Sequence, residues 1–323
     1  MNSSTLPQIS VLMPVYNGAR YLREALDSIF SQSFTDFECV LIDDGSTDQT
    51  TEIIESYTDS RITYISDGQN VGLTQRLNQG LEIARGKYIA RHDDDDISSP
   101  QRFAQQVELL ESNQDYLGCG SRVAIIDADG DVIGGRNFAL DHLALMDQNL
   151  LENQFIHGSL MLRKKELLAV GGYRPFFVYA QDYDLTLRLQ EHGKLINLEA
   201  PLYSLRYSND AISASRTGEQ MAYAQHARSA AELRRQEKVD PIDARSVTEL
   251  GDINFVARND ATERLLYLYL RSGYRQKARK CIDQLLEDKQ SIGLQLRRLL
   301  TYLPGPLMSS FVVMLDVLRG GLR

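Results

Sequence analysis

The chain has 323 residues, 43% hydrophobic and 24% charged, with 35 Lys and Arg against 44 Asp and Glu for a net charge of −9. That balance belongs to an ordinary globular protein and argues against nucleic-acid binding, which needs an excess of basic residues. Cys39, Cys119 and Cys281 are widely spaced, so neither a disulfide framework nor a zinc site is suggested, and reduced cytosolic thiols are expected.

The opening "MNSSTLPQIS" has neither the basic start nor the apolar core of a signal peptide. No stretch approaches the roughly 18–20 apolar residues of a membrane span. A soluble, cytoplasmic protein is the expectation.

Residues 9–15, "ISVLMPV", form an apolar run closed by the turn-like "YNG". Tyr21, Leu22, Ala25, Leu26, Ile29 and Phe30 then recur at helical spacing. A second strand, "FECVLI" (37–42), ends in "DDGSTD", where Ser46 or Thr47 is placed to cap a helix running through Ile53 and Ile54. "RITYI" (61–65) reads as a third strand, 72–85 as a helix with Leu73, Leu77, Leu81 and Ala84 on one face, and "KYIAR" (87–91) as a fourth strand. Pro100 should open the next helix, "PQRFAQQVELL". Strands alternating with helices imply an α/β protein with a parallel sheet and crossover helices.

Beyond residue 115 the pattern becomes mixed. Residues 123–135 read as a hairpin turning at Ala128-Asp129-Gly130, 141–152 as helix, 157–163 as a strand leading into the helix "KKELLAV", and 181–193 as a helix ending at Gly193. "KLINLEAPLYSLRY" follows as extended chain, and a linker is expected at 208–213. From there the pattern is helical, in residues 218–239 and in 261–289, the latter broken at Gly273. Two domains are therefore expected, 1–212 and a C-terminal helical region 213–323.

Four consecutive aspartates, Asp93 to Asp96, stand at the end of the fourth strand. One or two could serve the dipole of the helix that follows; four repel unless a cation offsets them. Carboxylates without His or Cys favour a hard ion, Mg²⁺ or Mn²⁺, whose remaining positions substrate phosphates fill. "YNG", "DDGS" and "HDDDD" all fall at strand carboxyl ends, where open α/β sheets bind ligands.

The strings "SVLMPVYNG", "VLIDDGSTD", "NVGLTQRLNQGLEIARGKYIARHDDDD", "HGSLMLRKKELLAVGGY" and "QDYDLTLRL", in this order, resemble the family 2 glycosyltransferases of GT-A fold over about residues 8–210. The resemblance implies a Rossmann-like, mostly parallel sheet flanked by helices. It implies that Pro14, Tyr16 and Asp44 lie at the nucleotide base, Tyr16 by stacking and Asp44 by accepting from a base N–H, with Arg76 near the nucleotide. The aspartates match the family's Asp-x-Asp motif as Asp93-Asp94-Asp95, with Asp95 as metal ligand and Asp93 or Asp94 near the ribose; a register shifted by one residue fits as well. Asp182 matches the catalytic base, although Gln181 stands where an acidic residue is usual, and Asp184 competes for the role. His157 matches the stretch between donor and acceptor.

The implied reaction is metal-dependent, inverting transfer of one sugar from a UDP- or dTDP-type donor to an acceptor hydroxyl, as in surface polysaccharide or glycolipid assembly. Mn²⁺ or Mg²⁺ is the expected cofactor. The expected partners are the donor, a glycan or lipid-linked acceptor and, as an open option, a second copy of the chain. A glycoside hydrolase would leave the strand-end clusters without purpose. The residues also admit a sugar-nucleotide nucleotidyltransferase or a catalytically degenerate binding scaffold. A processive synthase is disfavoured, because that signature includes a Trp and this chain has none. The C-terminal "LPGPLMSSFVVMLDVLRGGLR" carries an apolar stripe that could touch a membrane surface; packing onto neighbouring helices is the preferred reading.

Overall fold

The computed structural model describes residues 6–207, 217–240, 242–243, 261–288, 292–310 and 312. The linker expected at 208–213, the boundary at 212 and most of the C-terminal stripe lie outside the described residues. The chain divides into two compact units. The first comprises Met1–Val123, Arg136–Leu205 and Glu219–Asn254, the second Ala124–Gly135, Arg206–Gly218 and Phe255–Arg323.

The first four strands are β1 (Ile9–Val15), β2 (Phe37–Asp43), β3 (Ile62–Ser66) and β4 (Tyr88–Arg91). They interleave with helices α1 (Leu22–Phe30), α2 (Thr50–Glu55) and α3 (Leu73–Ile83). They pair in parallel, in the spatial order β3-β2-β1-β4. Every residue of β1 and β2 is buried, which is why these strands read as continuous apolar runs. Val11, Met13, Cys39 and Leu41 face one layer, packed with Leu22, Leu26 and Ile29 of α1. Leu12, Val40 and Ile42 face the other, with Leu77 and Leu81 of α3. The α/β sheet with crossover helices is thus as expected.

After β4 come β5 (Ile97–Ser98), α4 (Arg102–Ser112), β6 (Tyr116–Ile126), β7 (Val132–Arg136), α5 (His142–Asn149) and a 3-10 turn at His157–Ser159. Next are β8 (Met161–Arg163), α6 (Lys164–Ala169), α7 (Gln181–His192) and β9 (Lys194–Arg206). The sheet continues from β4 through β8, β6, β9 and β5, with β7 paired to β6, as nine strands among the described residues. The pairs β4–β8, β6–β8 and β5–β9 are antiparallel.

Several details depart from the sequence reading. The helix after "DDGS" begins only at Thr50, and neither Ser46 nor Thr47 caps it. Both are engaged elsewhere: Asn17 N–H donates to Ser46 Oγ at 2.9 Å, and Thr47 N–H donates to Asn17 Oδ1 at 2.8 Å. Pro100 precedes α4 instead of opening it. The strand expected from 157 starts at Met161, and Gly158 before it passes so close to Tyr203 that a Cβ would sit 2.0 Å from its OH.

Helices α8 (Thr217–Arg235), α9 (Ala261–Ser272), α10 (Arg275–Asp288) and α11 (Ile292–Leu300) follow, and residues 305–310 are also helical. In the second unit Ile125 and Ile133 pack with Leu266 and Leu270 of α9 and Ala278 and Ile282 of α10. The break at Gly273 has φ +84°, a conformation glycine adopts without strain. Lys277 Nζ reaches Asp127, Asp129 and Asp131 of the β6–β7 turn at 2.5, 2.9 and 2.7 Å. Among the described residues no helix is long and apolar enough to cross a membrane.

Candidate functional site

Strand order reverses beside β1: the chain proceeds from β1 to β2 to β3 on one side, and β4 then lies on the other. A crevice opens at the carboxyl ends of strands where connections part in this way. The β1 and β4 ends supply its walls.

From β1 come Pro14, Tyr16, Asn17 and Gly18. Tyr16 is 50% exposed. The Asp44 N–H donates to Val15 O at 2.8 Å, joining the two turns. Asp44 is buried, and its Oδ1 accepts from Val71 N and Arg76 Nε, both at 2.8 Å, while Oδ2 accepts from Gly72 N at 3.0 Å. Arg76, itself 2% exposed, also bonds Asp67 at 2.6 Å and the Gln69 carbonyl. Asp44 and Arg76 therefore fix the loop 67–72 over the end of β2.

From β4 come the acids. Arg91 Nη2 donates to Asp93 Oδ1 at 2.6 Å. His92 is fully buried, and its Nδ1 lies 2.7 Å from the Asp93 carbonyl, an acceptor that requires Nδ1 to carry the hydrogen. Burial and the nearby Arg102 and Arg91 charges hold His92 well below its usual pKa, so it is neutral. Asp93 N–H donates to Tyr203 OH at 3.1 Å. Asp94 and Asp95 form the turn. Asp94 is pushed up to about 8 by burial and by the charges of Asp95 and Asp93. A Cβ on Gly18 would come within 2.3 Å of Asp94 Oδ2, so the β1 turn closes directly on that carboxyl.

Asp182 lies in the first turn of α7, after Ala180 bends the chain at φ +56°. Burial raises its pKa, with a contribution from the charge of Asp93; Asn153 Nδ2 donates to its Oδ2 at 2.8 Å. Asp184 is fully buried, and it binds Arg174 and, at 2.9 Å, Arg188 Nε. His157 Nε2 lies 2.9 Å from Tyr173 OH. Burial and the Arg91 charge depress His157, while burial raises Tyr173, which feels Arg91, Asp182 and Asp93 together. Asp93, Asp182, Tyr173, His157 and Arg91 thus share one electrostatic neighbourhood.

Sequence reading missed Arg91, Asn153, Tyr173 and Tyr203. Only Arg91 left a signal, a basic residue ending an apolar strand directly before the acids. Among the described residues no three His, Cys, Asp or Glu side chains converge as a metal cage. The crowding of Asp93, Asp94 and Asp95, whose charges add to burial in pushing Asp94 up to about 8, nonetheless fits a divalent ion held by one or two carboxylates and completed by phosphates.

Residues 10–172 match the family model described as Glycosyl transferase family 2. The chain is 37% identical over 219 residues to the Bacillus subtilis protein named "Putative glycosyltransferase EpsE", covering 66% of this chain and 77% of the relative. It is 31% identical over 230 residues to an uncharacterized glycosyltransferase of Haemophilus influenzae, covering 66% of this chain and 70% of the relative. S. aureus TarS 1-349 in complex with UDP-GlcNAc superposes with a TM-score of 0.55 at 20% identity, over 70% of this chain and 66% of that one. The mannosyltransferase PcManGT from Pyrobaculum calidifontis, in complex with GDP-Man and Mn²⁺, gives 0.55 at 16% identity, over 96% and 85%. At these identities the structural likeness shows the fold alone.

Proposed function

The chain belongs to glycosyltransferase family 2 and has the GT-A fold, and from that premise we propose that it is an inverting, metal-dependent transferase of one hexosyl unit from a nucleotide-sugar to an acceptor hydroxyl. Family membership sets aside the hydrolase and nucleotidyltransferase readings. The observation that carries the proposal is the crowded Asp93-Asp94-Asp95 turn at the β1/β4 crevice, with Asp182 in the same electrostatic neighbourhood.

In this reading Pro14, Tyr16 and Asp44 lie at the base, Tyr16 stacking on it and Asp44 accepting from a base N–H, with Arg76 near the nucleotide. A pyrimidine nucleotide, UDP or dTDP, is the donor type. Asp95 would be the direct metal ligand, with Asp93 or Asp94 near the ribose. Mn²⁺ or Mg²⁺, when bound, offsets the charge of the leaving diphosphate. Asp182 accepts the proton of the acceptor hydroxyl as its oxygen attacks the anomeric carbon. Attack from the face opposite the diphosphate inverts the anomeric configuration. His157, kept neutral, lines the acceptor side. Residues 1–212 carry this chemistry, and the helical remainder is assigned to targeting or assembly, including peripheral contact with a membrane that holds a lipid-linked acceptor.

A thermal-shift panel of UDP, dTDP and GDP with and without Mn²⁺ tests donor and metal together, since a ligand of the folded state raises the melting temperature. A Mn²⁺-linked shift with UDP or dTDP is expected. No shift with any diphosphate overturns the proposal, and retention of anomeric configuration in the product, read by proton NMR, overturns the inverting mechanism.

A further inference from the structure

Asn153 lies in the irregular segment between α5 and the 3-10 turn at His157. Its amide is fixed at both ends: Phe155 N–H donates to Oδ1 at 3.1 Å, and Nδ2 donates to Asp182 Oδ2 at 2.8 Å. The first bond sets the second, because an amide whose oxygen meets a backbone N–H must turn its NH₂ the other way.

Other groups tie this segment to α7. Asn149 Nδ2 donates to Gln190 Oε1 at 2.8 Å, and Asn149 Oδ1 accepts from Gln154 N–H at 2.8 Å. Tyr183 OH donates to the Asn149 carbonyl at 2.5 Å. Asn149, Gln190 and Tyr183 therefore tie the segment carrying Asn153 to α7 through bonds that do not involve the Asn153 side chain.

We propose that Asn153 is the positioning residue of the catalytic base: its Nδ2–H holds Asp182 Oδ2, so that Oδ1 takes the acceptor's proton. The inference rests on the reading of Asp182 as base. The acceptor O–H bond breaks with its proton going to Oδ1, the oxygen forms the new bond to the anomeric carbon, and the diphosphate leaves with the electron pair of the old one. A donor on one carboxylate oxygen selects one orientation and favours the ionised form.

The surroundings make that donor matter. Burial and the Asp93 charge oppose ionisation of Asp182, whereas Asn153 and the backbone N–H groups of Tyr183 and Asp182 favour it. Tyr173 feels the Asp182 charge, and Glu152, Arg228 and Glu232 act on the neighbouring Tyr183. None of those three is a hydrogen-bond donor to the base among the described contacts.

The test uses the full chain with Mn²⁺ and whichever donor, from a panel of UDP-, dTDP- and GDP-hexoses, releases most nucleoside diphosphate. Asn153→Asp keeps the shape but sets a second carboxylate against Oδ2; Asn153→Ala removes the donor; Asn153→Ser restores a shorter one. Losses of kcat of about 10- to 100-fold are expected for Asn153→Asp and about 10-fold for Asn153→Ala, by analogy with other outer-shell partners. The acid limb of the kcat profile should rise in both, most in Asn153→Asp, with partial recovery in Asn153→Ser and donor affinity within about twofold of the parent. An unmoved acid limb in Asn153→Ala and Asn153→Asp overturns the proposal. So does loss of cooperative melting in both variants, which would make Asn153 structural. If Asp182→Asn still transfers sugar, the base reading itself fails; if Asp182→Asn is inactive while the Asn153 variants match the parent, only the positioning role fails.

Discussion

Asp184 accepts from Arg188 Nε at 2.9 Å, one turn along α7, and is wholly buried there, whereas Asp182 two residues earlier accepts from Asn153 and is only partly buried. Adjacent acids on one helix thus face different environments, because residues two apart do not share a helix face. Asp184→Asn should destabilise the fold by about 3–5 kcal/mol, the cost of leaving a buried cation unmatched. Asp182→Asn should melt within a few degrees of the parent, keep donor binding and lose transfer. Thermal melts beside a diphosphate-release assay separate the two; equal melting losses would contradict the assignment.

The contrast also marks how far the sequence could be read. β1 and β2 were legible because burial on both faces made them unbroken apolar runs, and α1 and α3 because each shows one apolar stripe. Asp182 and the Asp93–Asp96 run came from ordered motifs. The two-residue strand β5 was not legible, since its partners Tyr203 and Ser204 lie more than a hundred residues away and no local pattern encodes them. The same holds for Asn153 and Tyr203, whose bonds to Asp182 and to Asp93 N–H cross 29 and 110 residues. Within the 3-10 turn at His157, Gly158 passes too close to Tyr203 to carry a side chain, a contact only the folded chain contains.

Gly18 offers a test of the acidic turn that touches none of its carboxylates. A methyl group there would fall 2.3 Å from Asp94 Oδ2 and 3.1 Å from a Val15 methyl. Gly18→Ala should displace Asp94 and weaken Mn²⁺-linked binding of UDP at least tenfold by calorimetry, while the chain still melts cooperatively. Unchanged binding would mean that Asp94 can move without consequence for the ligand.

The folded state's protons give a stability profile of definite sign. Asp94 rises to about 8, from an unfolded value of about 3.9, so its contribution is present at low pH and is lost as pH rises through 8. His92 and His157 are depressed well below their usual value by burial; the unfolded chain gains these protons below about pH 6.5, so both groups cost stability as pH falls past that point. In metal-free buffer the melting temperature should therefore climb from pH 8.5 to about 6.5 and stop climbing below it. Asp94→Asn should reduce the upper slope, to which Asp182, also raised by burial, adds, and leave the lower limb. A parent profile flat between pH 8.5 and 6.5 would refute the Asp94 assignment.

Lys277 is a centre of charge within the second unit. Its ammonium meets Asp127, Asp129 and Asp131, and of these Asp127 has a side chain only 1% exposed. Burial acts to raise Asp127, but Lys277 and the backbone N–H groups of Asp129 and Asp131 outweigh it and hold the carboxyl below its usual range. Replacing Lys277 by Met keeps the apolar stem and removes the cation, leaving a buried carboxylate beside two like charges. Because Lys277 is 24% exposed, the expected loss is about 1–3 kcal/mol, below that of a fully buried pair. The loss should shrink as pH falls toward 4, because Asp127 in the variant, no longer held down by the cation, takes up a proton there. Urea titrations of parent and variant at pH 7 and pH 4 would reveal the difference. An equal loss at both values would mean that Lys277 acts through its stem and not its charge.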